Sequence, residues 1–212
     1  TNIDILKAGR IINLSGIKRS SIVGKKVINE IKIYNNLAYV ATTFGVVVID
    51  IDKEQIIDDY QNLGVNGTNL VIETIAVYND SIYLGTNEGI KKAPAFDISV
   101  NLKNFASWVR SGSFDSTYLS EVYNGSLYVV SDSVLYKYSN GTFTYADGGI
   151  RKGYKSISSH HNKLIICRSE GIALLDNTGA ITERGEPFMD YAILDYQDLS
   201  LIHISEPTRL RR

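Results

Sequence analysis

Cysteine, tryptophan and methionine each occur once in this sequence and proline only three times, and each scarcity closes off an option. A single thiol, Cys167, excludes an internal disulfide framework, so the chain must be held together by its own packing. Cys167 lies in the apolar run Leu164–Cys167 and reads as a small buried hydrophobe, not a nucleophile. No apolar run reaches the ~18 residues that a membrane-crossing helix needs. Charge of one sign is also missing: 22 basic and 23 acidic residues give a net charge of −1, without the basic stripe of a nucleic-acid binder. Helical periodicity is nearly absent, and only Leu102 to Trp108 is expected to form a turn or two. No phosphate-cradling glycine loop, zinc motif or Gly-x-Ser-x-Gly elbow occurs, so no cofactor or metal is expected.

What is abundant is tyrosine, 14 residues, and glycine, 17, and both fall into a repeat. Four alternating segments, Ile28–Tyr34, Ile72–Tyr78, Thr117–Tyr123 and Tyr154–His160, each end in an aromatic ring. A two-residue turn follows each of them: Asn35-Asn36, Asn79-Asp80, Asn124-Gly125 and His161-Asn162. Such pairs tolerate the positive φ of tight hairpins. Second strands follow at Tyr39–Thr42, Tyr83–Thr86, Tyr128–Ser131 and Ile165–Arg168. A turn at Gly45, Gly89 and Gly171, with Asp132-Ser133 in its place in the third unit, then leads to a third strand. Fourth strands are weakest, for example Gln55–Tyr60 and Thr142–Tyr145, as expected at an outer edge.

The first turns start at positions 35, 79, 124 and 161, which gives steps of 44, 45 and 37 residues. Four strands per unit at about that spacing are the mark of a β-propeller. An immunoglobulin-like sandwich would alternate without this self-similarity. The expected class is therefore all-β: an incomplete β-propeller of four-stranded antiparallel blades. About four full blades fall at 27–63, 70–110, 117–147 and 154–186, with partial ones at 1–15 and 190–198.

Several stretches, in this order and spacing, carry a family resemblance: Asn2–Ile5, Gly24–Asn29, Ala38–Ala41, Phe44–Asp50, Ile56–Tyr60, Ile82–Ile90 and Asn104–Trp108. They resemble two-component-regulator-type propellers of Bacteroidetes, and more specifically the PorZ-like N-terminal propellers of the type IX secretion system. The resemblance covers residues 1–198. It implies a large protein with two seven-bladed propellers and a C-terminal β-sandwich, placed at the outer surface. It further implies work alongside the sortase and with anionic lipopolysaccharide. The segment Leu199–Arg209 instead resembles the in-frame translation of a transposase sequencing adapter, so 199–212 is expected to be a non-native tail. With Thr1 in place of an initiator methionine, the gene is expected to be cut at both ends.

Lys18, Arg19, Lys25 and Lys26, in a connection between blades, form a candidate contact for an anionic glycan; the plainer reading is a solvated crossover. His160-His161 suggests a metal, but neighbours on a strand point to opposite faces and no acidic ligand completes a set. Asp50 with Asp52 and Asp58 with Asp59 lie at strand ends and on an outer strand, where carboxylates stay solvated. Phe105 and Trp108 are read as a plug between blades rather than as a sugar platform. The Asn-x-Ser/Thr sites at Asn66, Asn79, Asn124 and Asn140 are read as turn chemistry. The expectation is a non-catalytic extracytoplasmic scaffold that binds protein partners of a secretion complex. The alternatives are the periplasmic sensor propeller of a hybrid two-component regulator, binding a carbohydrate, and a propeller lyase or glycosidase.

Overall fold

The computed structural model describes residues 3–7, 9–19, 26–147 and 153–184. The contacts divide the chain into two units, residues 1–120 with 129–132, and residues 121–128 with 133–212. Within the described residues the chain opens with a hairpin, β1 (Ile3–Lys7) and β2 (Arg10–Leu14), followed by one helical turn, α1 (Gly16–Arg19). Four sheets of four strands follow in chain order. The first holds β3 (Ile28–Tyr34), β4 (Leu37–Thr42), β5 (Gly45–Asp50) and β6 (Gln55–Gln61). The second holds β7 (Ile72–Tyr78), β8 (Ser81–Thr86), β9 (Gly89–Pro94) and β10 (Val109–Arg110). In the third are β11 (Thr117–Tyr123), β12 (Ser126–Ser131), β13 (Val134–Ser139) and β14 (Thr142–Tyr145). The fourth is β15 (Tyr154–His160), β16 (Lys163–Arg168), β17 (Gly171–Asp176) and β18 (Ile181–Arg184). Each sheet is a meander whose strands pair in sequence order, and the pairings of the first, second and fourth are antiparallel throughout.

The turns form because their residues accept left-handed backbone. Asn35 and Asn36 have φ of 46° and 65°, Asn79 and Asp80 45° and 54°, His161 and Asn162 42° and 58°. Positive φ at both central positions matches the right-handed twist of the strands that the turn joins. Asn66, Asn79, Asn124 and Asn140 all have positive φ, so these asparagines do serve the turns.

Middle strands are buried on both faces, which is why they read as continuous apolar runs. In β4, Tyr39 and Ala41 face the second sheet, in a core with Ile72, Ile75, Ile82 and Leu84. Their neighbours Ala38 and Val40 face the other way, against Ile3, Ile5 and Leu14 of the hairpin. The period of two thus feeds two different cores. Tyr39, Tyr83 and Tyr128 occupy the third position of β4, β8 and β12, and all three are buried. The pairs Tyr78–Tyr83 and Tyr123–Tyr128 repeat one geometry, with ring centroids 6.2 and 6.1 Å apart and planes tilted by 53° and 48°.

One feature departs from the expectations. The segment after β2, read as an open crossover, contains the one-turn α1, whose Ile17 is buried against β4 and β5. The outer strand of the second sheet is only Val109–Arg110, because the chain makes an excursion over residues 95–108 first. That excursion holds a single 3-10 turn at Phe105–Ser107, capped by the Asn104 side chain. The proposed further strand at 190–198 and the tail 199–212 lie outside the described residues.

Candidate functional site

Of the four basic residues singled out, Lys25 lies outside the described residues, as do the side chains of Lys18 and Arg19. The backbone of Lys18 and Arg19 belongs to α1, and Lys26 is half-buried just ahead of β3.

Each of the paired carboxylates has a bonding partner. Asp50 accepts the backbone N–H of Lys53 at 2.9 Å and pairs with its ammonium at 2.9 Å. These bonds, the backbone one foremost, hold the Asp50 carboxyl below the usual carboxylate range. Asp52 accepts from the Asn36 amide and lies 3.4 Å from the Lys7 ammonium. Asp58 pairs with Lys103 at 2.8 Å, and Asp59 accepts from Gln61 at 2.7 Å. Asp52 and Asp58 therefore tie one segment to another, Asp50 holds its own turn, and the bond of Asp59 stays within β6.

His160 ends β15 and His161 opens the turn, yet the two rings meet edge to face with centroids 3.9 Å apart. Strand alternation predicts opposite faces; the positive φ of His161 breaks that alternation. A groove of about 360 Å³ beside them is lined by Tyr123, Asn124, His160, Asn162 and Asn177. Among the described residues no three metal-ligating side chains cluster.

Trp108 belongs to the core, 5% exposed, with its ring 6.1 Å from that of Tyr60 and its indole N–H donating to the Leu102 carbonyl at 2.9 Å. Its ring packs in the core shared by the first and second sheets, as a plug between blades does. Phe105 is 40% exposed and lies over Gly67.

A second groove, about 600 Å³, lies on the turn side of the second sheet, between Asn87, Glu88, Lys91, Trp108, Arg110 and Asp115. Lys91 is 9% exposed and its ammonium lies 3.2 Å from Glu88. In the register of β9 and β10, Lys91 stands directly opposite Arg110. Arg110 donates to the Phe114 carbonyl and approaches Asp115 at 4.0 Å. Sequence reading passed over these residues. The available signal was the lysine pair in Ile90–Ala93, where the other glycine-led third strands carry Val47 and Ala173.

With this geometry in hand, comparison with known proteins bears on the fold. The family described as the type IX secretion (TSS9) PorZ N-terminal beta-propeller domain matches residues 1–109, which hold the hairpin and the first sheet and reach into β10 of the second. This chain belongs to that family. The solved structure of PorZ from Porphyromonas gingivalis aligns with a TM-score of 0.68 and 20% identity, over 90% of this chain and 25% of that one. The extracellular domain of a protein described as a hybrid two component system from B. thetaiotaomicron aligns at 0.58 and 16%, over 91% of this chain and 28% of that one. A one component system from the same organism gives 0.56 and 11%, over 86% and 26%. At such identities the likeness shows the fold, and the fold is a β-propeller of four-stranded antiparallel blades. The chain spans about a quarter of the length of each of these structures. No curated protein sequence matches it.

Proposed function

We propose that this chain is the propeller part of a PorZ-like component of the type IX secretion system, acting outside the cytoplasm as a non-catalytic scaffold for protein partners. The observation that carries this reading is the family match over residues 1–109, in a chain whose blades continue beyond it. The P. gingivalis protein is described as an essential bacterial surface component of that system. A scaffold role also suits the carboxylates, which are spent on a turn, on strand-to-loop ties and on a bond within β6. In this reading the sortase is one partner, and anionic lipopolysaccharide meets the basic segment around Lys18, Arg19, Lys25 and Lys26.

A second reading, a ligand-sensing propeller of a two-component regulator, is favoured by the likeness to the two extracellular domains. Deleting the gene in its source bacterium separates the two. Loss of surface delivery of type IX cargo, restored by complementation, supports the scaffold. Intact secretion with a lost transcriptional response to a carbohydrate supports the sensor. For the basic segment, the Lys18→Ala, Arg19→Ala, Lys25→Ala, Lys26→Ala variant is titrated with anionic lipopolysaccharide at low and high salt. Contact through these charges predicts weaker binding by the variant and steep weakening of the native chain as salt rises.

A further inference from the structure

We propose that the groove on the second sheet is a binding site for a carboxylate-bearing ligand, recognised by Lys91 and Arg110. This inference rests on the groove alone and stands whichever reading of the whole protein holds.

The arrangement of Lys91 is costly to the sheet. Lys91 is the third residue of β9, and the same position of the other glycine-led third strands is filled by the buried Val47 and Ala173. An aliphatic side chain is what the blade packs there. Lysine is almost never fully buried unless paired, and like charges directly opposite on neighbouring strands destabilise a sheet. Here a buried lysine faces an arginine across the ladder. A sheet selected for packing alone has no use for that pair, whereas a site for an anion does.

The counter-charges do not use up the cations. Glu88 Oε2 lies 3.2 Å from the Lys91 ammonium as an ion pair but accepts no hydrogen bond from it, so the three ammonium donors are not spent on Glu88. The side chain of Asp115 is fully exposed and 4.0 Å from Arg110, a separation at which a solvated pair contributes little. The guanidinium spends one nitrogen on the Phe114 carbonyl, which fixes its orientation, and its side chain is still 57% exposed. A planar fork held in place with donors to spare suits bidentate recognition of a carboxylate.

Charge balance and lining narrow the ligand further. Two cations and two carboxylates around the groove leave no net positive charge, so a dianion such as phosphate would meet repulsion. A monoanion that takes the place of Asp115 on Arg110 meets less. The remaining lining mixes the exposed amide of Asn87 with Trp108 and with Val65, which is 61% exposed. That suits a largely neutral ligand body with one acid group, and about 600 Å³ is within the range of small-molecule sites. A sugar acid and the C-terminus of a peptide both offer this chemistry.

Titration calorimetry of the full chain at about physiological ionic strength, with glucuronate, glucose, N-acetyl-trialanine and N-acetyl-trialanine amide, tests the site. Saturable binding of one acid, absent for its neutral counterpart, is the expected result and names the source. Arg110→Gln and Lys91→Met are each expected to weaken that binding about tenfold or more, the scale of a lost charged hydrogen bond. Lys155→Met, which removes an exposed lysine elsewhere, leaves it unchanged. Thermal melts show that the variants are folded; if Lys91→Met is not, Arg110→Gln on the short outer strand decides. Binding of neither acid, equal binding of acid and neutral probe, or undiminished binding by folded Arg110→Gln overturns the proposal.

Discussion

The carboxylate of Glu30 lies 2.6 Å from the Thr74 hydroxyl and 2.8 Å from the backbone nitrogen of Ile75, so one side chain of β3 clasps β7 in the next blade. Thr74 has one hydroxyl proton and gives it to Glu30. Its contact at 2.6 Å with Ser120 is therefore one in which Ser120 donates. The same device recurs where Glu121 accepts the hydroxyl of Ser159 at 2.6 Å and its N–H at 3.2 Å. Removing the acceptor strands the buried Ile75 N–H, while the Thr74 hydroxyl keeps Ser120 as its one partner. Glu30→Ala is expected to lower stability by about 1–3 kcal/mol, and Glu30→Gln by less, in urea unfolding. An alanine variant as stable as the native chain would falsify the clasp.

Two glycines are required by space as well as by dihedral angle. At Gly89, with φ of 88°, an added Cβ would sit 2.2 Å from the Phe114 carbonyl oxygen; at Gly45, with φ of 128°, it would sit 2.0 Å from that of Tyr60. Gly141 has φ of 82° but nothing within 4 Å. Gly141→Ala should cost only the left-handed strain of about 1–2 kcal/mol. Gly45→Ala and Gly89→Ala should each cost clearly more, because backbone must move. Comparing denaturation midpoints of the three variants checks the order.

Trp108 is the chain's one tryptophan and is buried, so its emission should be blue-shifted when folded and move to the red on unfolding. Trp108→Phe loses the bond to Leu102 and part of the ring volume, while Trp108→Ala should cost about 3–5 kcal/mol. Fluorescence for the native chain and circular dichroism for the variants provide the readings.

Alkaline pH should unfold the protein through its tyrosines. Burial, with Asp58 next in weight, pushes the Tyr60 phenol well up; burial, with the hydrogen bond to Asp147 next, does the same for Tyr154. Burial also raises Tyr39 and Tyr128. A phenol whose folded pKa exceeds its unfolded value contributes stability that is complete below about pH 10 and is lost as pH climbs toward the folded value. Absorbance of phenolate against pH should show the raised tyrosines ionising only together with loss of circular dichroism. A single smooth titration of all of them without unfolding would contradict this.

Cys167 is buried, and burial foremost raises its thiol above the usual range. Reaction with a thiol reagent at neutral pH should therefore be slow in the native chain and track the unfolded fraction as urea is added.

What the sequence determined by itself was whatever depends on a few neighbouring residues. Asn35-Asn36 and His161-Asn162 announce left-handed turns because those side chains tolerate positive φ, wherever the strands lead. The spacing of Tyr39, Tyr83 and Tyr128 announces equivalent positions because each follows its turn at a fixed distance. From those two regularities the four-stranded unit and its repetition follow, and with them the fold class. Tertiary structure decided what depends on loops of variable length. The excursion over 95–108 sets where the outer strand of the second sheet begins, and so places Arg110 opposite Lys91 and Trp108 inside the core. No local preference of Lys91 or Arg110 encodes that meeting. Glu30 likewise finds Thr74 only because two separate sheets pack through their first strands, a contact fixed by the burial of many side chains and not by any motif near either residue.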